Sequence, residues 1–196
     1  VELVIAGSGH TVDGQDIAGV RPFHIGRFTT VTINDLTVTG GNLRGFGDND
    51  GGGILSRGNL TLNQTTVTGN YSSGVGGGIT HRPSANQGTL AINNSTISSN
   101  RSGQGGGGIA NLGRPATIRN STISDNAGVP GGGILNRVDL TLDSVTLTEN
   151  LGQDGAGIYH VAGTLDIQNT IVAGNNPNGA PDCETDGIGF QPINDG

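Results

Sequence analysis

The chain has 196 residues, a net charge of −7 and 38 glycines, with no tryptophan or methionine, four phenylalanines and two tyrosines. All nine basic residues are arginine and face sixteen acids, which excludes a protein that binds nucleic acid by neutralising phosphates. No apolar run is long enough to span a bilayer, so we expect no transmembrane segment. Such a composition suits a narrow core of medium-sized branched side chains better than a compact globule.

The first predicted element is a strand over residues 1–5. The apolar opening, residues 1–6, is too short and lacks a basic leader, so we expect no signal peptide. Beyond it, one motif occurs six times. A glycine-rich turn ends in isoleucine in each copy, at Ile54, Ile79, Ile109, Ile134 and Ile158, with a degenerate first copy at Ile25. The intervals are 29, 25, 30, 25 and 24 residues, and a period of this size predicts a repeat architecture.

Each repeat contains the same alternation of apolar and polar residues. An apolar pair such as Leu60 and Leu62 follows the isoleucine, and a second apolar position such as Val67 stands between two threonines or serines. Period-two alternation with β-branched residues predicts strands, and no window has helical periodicity. We therefore expect an all-β protein, a single parallel β-helix (β-solenoid) of about seven three-strand coils stacked about 4.8 Å apart.

An asparagine lies three residues after the second apolar position in five consecutive repeats. Stacking would place equivalent asparagines above one another, and asparagine tolerates the left-handed backbone conformation of a turn. We interpret them as a structural ladder of side-chain amides. Its members are Asn70, Asn100, Asn126, Asn150 and Asn175.

A second regular feature is the pair of hydroxyl residues that flank the second apolar position. Five such pairs would form a flat array of hydroxyl and methyl groups, spaced about 4.8 Å between coils and about 6.7 Å along each strand. Ice-binding β-solenoids resemble this arrangement, although threonine is also favoured on exposed strands by propensity alone. The array consists of Thr37, Thr39, Thr66, Thr68, Thr96, Ser98, Thr122, Ser124, Thr146 and Thr148.

Two acidic pairs are candidates for chemistry. Asp125 and Glu149 precede the ladder asparagine in adjacent coils, which would bring their carboxylates near the ~5 Å separation of a retaining glycosidase. The alternative is a pair of solvated turn residues. Asp48 and Asp50 offer the oxygen ligands that Ca²⁺ prefers but do not match an EF-hand loop, so an acidic turn explains them equally well.

The basic residues and histidines complete the candidate list. Arg57, Arg82 and Arg137 each follow a turn isoleucine by three residues, and they form either a patch for acidic partners or ion pairs with surface aspartates. His81 and His160, like the other two histidines, show no metal-ligand spacing. We expect no cofactor, with Ca²⁺ as the only metal suggested.

The ends of the β-helix predict its interactions. We divide the chain into a β-helix over residues 1–175 and a tail, cap or linking segment over 176–196. No amphipathic helix caps either end, and residues 188–193 are apolar enough to complement the opening strand. Because the two ends of a β-helix differ, their contact would be head-to-tail and would propagate into a filament. The alternative is that the tail folds over the last coil as a lid.

The repeat resembles a known group of proteins. The GGGI element followed by N-S-T-I-S-x-N, at residues 94–100 and 120–126, is similar to the right-handed β-helix repeats of bacterial surface proteins, including polymorphic outer-membrane proteins. Residues 169–175, followed by Pro181, Asp182 and Cys183, resemble the last coil of secreted choice-of-anchor proteins. The resemblance implies a right-handed parallel β-helix in an extracellular or cell-surface setting.

These observations favour a non-catalytic structural or adhesive protein that associates with itself end to end. Two alternatives stay open: a module that binds or cleaves polysaccharide, and an ice-binding protein that uses the hydroxyl array.

Overall fold

The computed structural model describes residues 1–45, 47–83, 88–176 and 179–186. Within them the protein consists of strands, bridges, turns and bends, without helix. The strands are β1 (Glu2–Asp13), β2 (Phe23–Ile25), β3 (Thr30–Thr39), β4 (Asn42–Leu43), β5 (Ile54–Ser56), β6 (Asn59–Asn63), β7 (Thr66–Thr68), β8 (Tyr71–Ser72), β9 (Ile79–His81), β10 (Leu90–Asn93), β11 (Thr96–Ser98), β12 (Arg101–Ser102), β13 (Ile109–Asn111), β14 (Ala116–Arg119), β15 (Thr122–Ser124), β16 (Ile134–Asn136), β17 (Leu140–Asp143), β18 (Thr146–Thr148), β19 (Ile158–His160), β20 (Leu165–Gln168), β21 (Ile171–Val172) and β22 (Cys183–Thr185).

The strands stack in parallel into a β-solenoid, as the repeat predicted. Each strand pairs with its equivalent in the next coil, and the sheet of turn isoleucines contains seven strands in the order β2-β5-β9-β13-β16-β19-β22. A twelve-stranded sheet contains two rows, β6-β10-β14-β17-β20 and β7-β11-β15-β18-β21, which β3 joins because it pairs with both β6 and β7. The expected all-β solenoid of about seven coils is confirmed.

A fourth, shorter row was not predicted. The strands β4, β8 and β12 form a three-stranded sheet, and single bridges from Arg101 to Ala127 and from Ala127 to Leu151 continue its line. Each of these strands has only two residues, too few for a period-two pattern to be visible in the sequence.

The core is a set of apolar columns along the solenoid axis. Pairing places Leu62 beside Ile92, Ile92 beside Ile118 and Ile118 beside Leu142, and all four are fully buried. Val67, Ile97 and Ile123 form a parallel column, as do the five isoleucines from Ile54 to Ile158. The expected first copy at Ile25 is wrong by two residues, because Phe23 pairs with Ile54 and Ile25 pairs with Ser56. Burying a side chain of this size contributes about 1.5–3 kcal/mol. A narrow solenoid can therefore be stable without large aromatic residues.

The two ends of the solenoid are formed by different strands. Among the described residues, β1 pairs only with β3, while β20 and β21 pair only with β17 and β18. The segment predicted as a tail contains β22, which pairs with β19. Residues 188–193, expected to complement the opening strand, lie outside the described residues.

Candidate functional surfaces

The five asparagines of the ladder form one buried column. The Nδ2 atoms of Asn70, Asn100, Asn126 and Asn150 each donate to Oδ1 of the asparagine one coil further on, at 2.8–3.0 Å. That oxygen also accepts a hydrogen bond from the backbone N–H of the donating residue, at 3.0–3.1 Å. The exposed fraction of these residues is 5% or less. The column is almost completely shielded from solvent and holds successive turns together.

The backbone at this turn differs from the expectation. The ladder asparagines are not in the left-handed conformation; the preceding residue is, with φ of 55° at Ser99 and Asp125 and 59° at Glu149. Placing the left-handed residue one position earlier turns the asparagine side chain into the core. There its Nδ2 atom also reaches a backbone carbonyl, as Asn126 does at Ile97 O, 2.9 Å away. The expected left-handed asparagine is therefore wrong.

The glycine turns and the asparagine ladder contact each other directly. A Cβ atom on Gly108 would lie 3.1 Å from the amide of Asn126 and 2.9 Å from the carbonyl oxygen of Gly133. Gly78 and Gly133 hold equivalent positions against Asn100 and Asn150. The last glycine before each isoleucine leaves room for the asparagine side chain, which couples the two elements of the repeat.

A second buried polar column was missed by the sequence analysis. The third residue of each isoleucine strand points inward, and Asn111 Nδ2 donates to Asn136 Oδ1 at 2.8 Å. Asn136 Nδ2 in turn lies 2.9 Å from Nδ1 of His160, whose Nε2 lies 3.1 Å from Gly163 O. If Nδ1 of His160 accepts from Asn136, then Nε2 carries the proton and donates to Gly163 O. The hydrogen bonds from Asn111 to Gly163 then all point in the same direction. The column consists of Ser56, His81, Asn111, Asn136, His160 and Thr185.

His81 is a buried member of this column whose ring makes no hydrogen bond within the described part of the chain. Its side chain is fully buried, and among the described residues neither ring nitrogen has a hydrogen-bond partner in good geometry. Oδ1 of Asn111, in the next coil, is unpaired in the same way. Burial lowers the pKa of His81 to about 4, and the backbone of Gly88 offsets this only in part. The histidine is therefore neutral near pH 7, as burial without a partner requires.

The acidic turn proposed as a Ca²⁺ site is clamped by arginines. Arg57 pairs with the Asp48 carboxylate and Arg82 with that of Asp50. Arg21 donates to the backbone carbonyls of Asp48, Asp50 and Gly51 at 2.6–2.9 Å. A cation would have to displace three guanidinium groups from these oxygens. The use of Arg57 and Arg82 as ion-pair partners of surface aspartates is confirmed.

The structure places Asp125 and Glu149 in one column on an exposed turn. They follow the paired residues Ser124 and Thr148 in adjacent coils, and both side chains are exposed. The neighbouring pair Arg119 and Asp143 is separated by 3.9 Å between Nε and Oδ2 and is also largely exposed. Both carboxylates face solvent at left-handed turn positions, so neither is enclosed in an apolar pocket of the kind that holds a glycosidase general acid.

The hydroxyl array is continuous over five coils. Thr37 pairs with Thr66, Thr66 with Thr96, Thr96 with Thr122 and Thr122 with Thr146. The second column includes Ser98, whose Oγ donates to Thr68 Oγ1 at 3.3 Å. All ten residues are partly exposed, while the apolar residues between them are buried. The array is the ordered outer face of β3, β7, β11, β15 and β18.

Other reactive groups give little chemistry. Burial, and to a lesser degree the charge of Asp182, raises the pKa of the Cys183 thiol to about 11, so it is not a thiolate at neutral pH. In the described part of the chain, no three histidine, cysteine, aspartate or glutamate side chains are grouped to hold a metal. No described helix is long and apolar enough to cross a membrane.

No family model, curated protein or solved structure matches the chain.

Proposed function

We propose that the protein is a non-catalytic structural or adhesive β-solenoid that associates end to end, β1 of one copy lying against β20 and β21 of the next. The extracellular or cell-surface setting belongs to this proposal and rests on the resemblance of the repeat sequence. The observation that carries the proposal is the pair of strand edges at opposite ends. Unpaired edges of parallel strands accept a further strand, and a head-to-tail contact buries both edges.

The apolar columns support this geometry. Leu3 and Ile5 pair with Val31 and Ile33 and so begin the columns that Leu165 and Ile167 end. Leu3 remains 52% exposed. Stacking a second copy would continue each column, with Leu3 of the added copy against Leu165, and would remove this apolar surface from water.

An irregularity in β1 limits the contact. Its pairing with β3 shifts register between Ala6 and His10, with left-handed residues at Ser8 and Gly9. Bulges of this kind interrupt a strand edge. Pairing at the junction is therefore divided between Glu2–Ala6 and His10–Asp13.

Sedimentation velocity over a concentration series, with electron microscopy of the same samples, tests the assembly. We expect concentration-dependent oligomers or filaments. Leu3→Lys should abolish them, whereas Leu151→Lys, a matched change at a 50% exposed leucine outside the end strands β1, β20 and β21, should not. A monomer at every concentration, or equal effects of the two substitutions, would contradict end-to-end association.

The hydroxyl array supports a second candidate function, ice binding. Its residues are in register over five coils, with the regular spacing of a parallel sheet. Thermal hysteresis and inhibition of ice recrystallisation test it. Thr96→Lys, in the middle of the array, should remove both activities, while Thr117→Lys on the neighbouring row should retain them. Absence of both activities in the unmodified protein rejects this candidate.

A further inference from the structure

A groove lies beside the short sheet β4-β8-β12 and runs along the side of the solenoid to its last coil. One wall consists of equivalent residues from successive coils: Tyr71, Arg101, Ala127, Leu151 and Asn176. Four coil steps give this groove a length of about 19 Å parallel to the axis. Its shape suits an extended polymer.

Glycines form part of the floor of the groove because side chains do not fit there. A Cβ atom on Gly103 would lie 2.6 Å from Ser73 O, and one on Gly128 would lie 2.5 Å from Ser102 Oγ. Both distances are shorter than real Cβ contacts. Close packing of neighbouring loops therefore requires glycine at these two positions.

One end of the groove combines an aromatic ring with two arginines. The guanidinium carbon of Arg44 lies 5.0 Å from the ring centroid of Tyr71, a cation–π geometry. Arg101 pairs with Tyr71 from the next coil, and the side chains of both arginines are exposed.

Neither of these two arginines forms an ion pair within the described part of the chain. Arg57, Arg82 and Arg119 pair with aspartates, whereas Arg44 and Arg101 have no carboxylate within 4.0 Å among the described residues. In a chain of net charge −7, this leaves a local positive surface beside an aromatic ring. Guanidinium groups bind carboxylates through paired hydrogen bonds, and an aromatic ring packs against the apolar face of a sugar.

We propose that this groove binds an extended acidic polysaccharide, with a carboxylated sugar at Tyr71 and Arg101. The sugar ring packs against the face of Tyr71 opposite Arg44, and its carboxylate accepts hydrogen bonds from Arg101, with Arg44 adding positive charge. The opposite end of the groove carries Asp154 and Glu184, and Glu184 already accepts from the backbone N–H of Gly155 at 3.1 Å. The carboxylated sugar is therefore bound at the arginine end, away from Asp154 and Glu184.

Titration calorimetry with oligogalacturonate, its methyl ester and a neutral dextran oligomer tests the proposal. The free acid should bind. The ester and dextran should bind about tenfold more weakly, because each lacks the carboxylate that accepts the charge-assisted hydrogen bonds. Arg101→Gln should weaken binding by a similar factor. Arg27→Gln, which removes the same charge from an exposed site outside the groove, should have little effect.

Two further variants test the ring. Tyr71→Phe keeps the stacking surface and should keep most of the affinity, whereas Tyr71→Leu should lose it. Tyr71 is half-buried, so if Tyr71→Leu fails to fold, the comparison of Arg101→Gln with Arg27→Gln remains decisive. Lack of binding by the free acid, equal binding of acid and ester, or equal effects of the two arginine substitutions would overturn the proposal.

Discussion

Asp182 ends the asparagine ladder by taking the place of a sixth amide. Its Oδ1 atom accepts from both the backbone N–H and the Nδ2 of Asn175, each at 2.8 Å. Asn175 Oδ1 accepts from the same two atoms of Asn150, at 3.0 and 2.8 Å. A carboxylate only accepts, so it closes a chain of donors without adding another.

This relationship predicts that an acceptor, and not a charge, is required at position 182. Asp182→Ala leaves two donors of Asn175 unsatisfied and should lower the free energy of unfolding by about 1–3 kcal/mol. Asp182→Asn keeps an acceptor oxygen and should cost less than about 1 kcal/mol. Urea denaturation followed by circular dichroism measures both. Equal losses in the two variants would show that Oδ1 is not the group that matters.

We expect the loss of an asparagine from the middle of the buried ladder to lower stability more than the loss of a half-buried asparagine that makes a similar amide contact. Asn126→Ala removes hydrogen bonds to Asn100, Asn150 and Ile97 in a fully buried column and should lower stability by about 2–4 kcal/mol, since several buried groups lose partners.

Asn93→Ala is the matched control, because Asn93 makes a similar amide contact to Asn63 in a half-buried position. It should cost less than about 1 kcal/mol in the same urea titration. If the two substitutions prove equally costly, the inner column has no special role.

The contact between glycine turn and ladder predicts a position-dependent effect of one methyl group. Gly108→Ala places a Cβ against Asn126 and the backbone of Gly133, and overpacking of this kind costs about 1–3 kcal/mol. Gly26→Ala, where an added Cβ meets nothing within 4 Å, should be neutral or slightly stabilising. Melting temperatures of the two variants give the comparison; a tolerated alanine at 108 would refute the packing argument.

Burial of His81 predicts a loss of stability in acid. The folded protein holds His81 neutral down to about pH 4, while the unfolded chain protonates it near its ordinary value of 6.5. The unfolded state therefore binds more protons between these values. The stabilisation that comes from keeping His81 neutral is fully present above pH 6.5. As the pH drops towards 4, the free energy of unfolding falls by about 3 kcal/mol in total.

His81→Asn should remove this part of the pH dependence, because asparagine occupies the equivalent position in the next two coils. His10→Asn, at an exposed histidine, should leave it unchanged. Unfolding free energies at pH 7 and pH 4.5 supply the readout. The same pH slope in His81→Asn and in the unmodified protein would contradict a neutral, buried His81.

The repeat period determined most of the architecture in advance. Aligning the isoleucines and asparagines predicted which residues pair between coils, because in a parallel stack equal positions lie above one another. Pairs such as Ile97 with Ile123 follow directly. The sequence also contained the signal for the second polar column. His81 and His160 stand two residues after a buried isoleucine, and period two places them on the same inward face.

Other features depend on geometry that the sequence does not specify. The left-handed residue before each ladder asparagine is glycine, serine, aspartate or glutamate, so residue preference alone did not locate it. The groove beside Tyr71 arises from the close approach of neighbouring loops. The clamp on the acidic turn needs Arg21, which is 27 residues from Asp48. Contacts of this kind become visible only once the coils are stacked.

Cysteine cross-linking tests the stacking of adjacent coils most directly. In a Cys183→Ser background, Thr68→Cys with Ser98→Cys joins paired residues about 4.8 Å apart, within reach of a disulfide, whereas Thr68→Cys with Ser124→Cys spans two coils, about 9.6 Å. Oxidation followed by mass spectrometry should show a disulfide in nearly all of the first variant and little in the second. Equal cross-linking of both, or none in the first, would contradict the stacked β-solenoid.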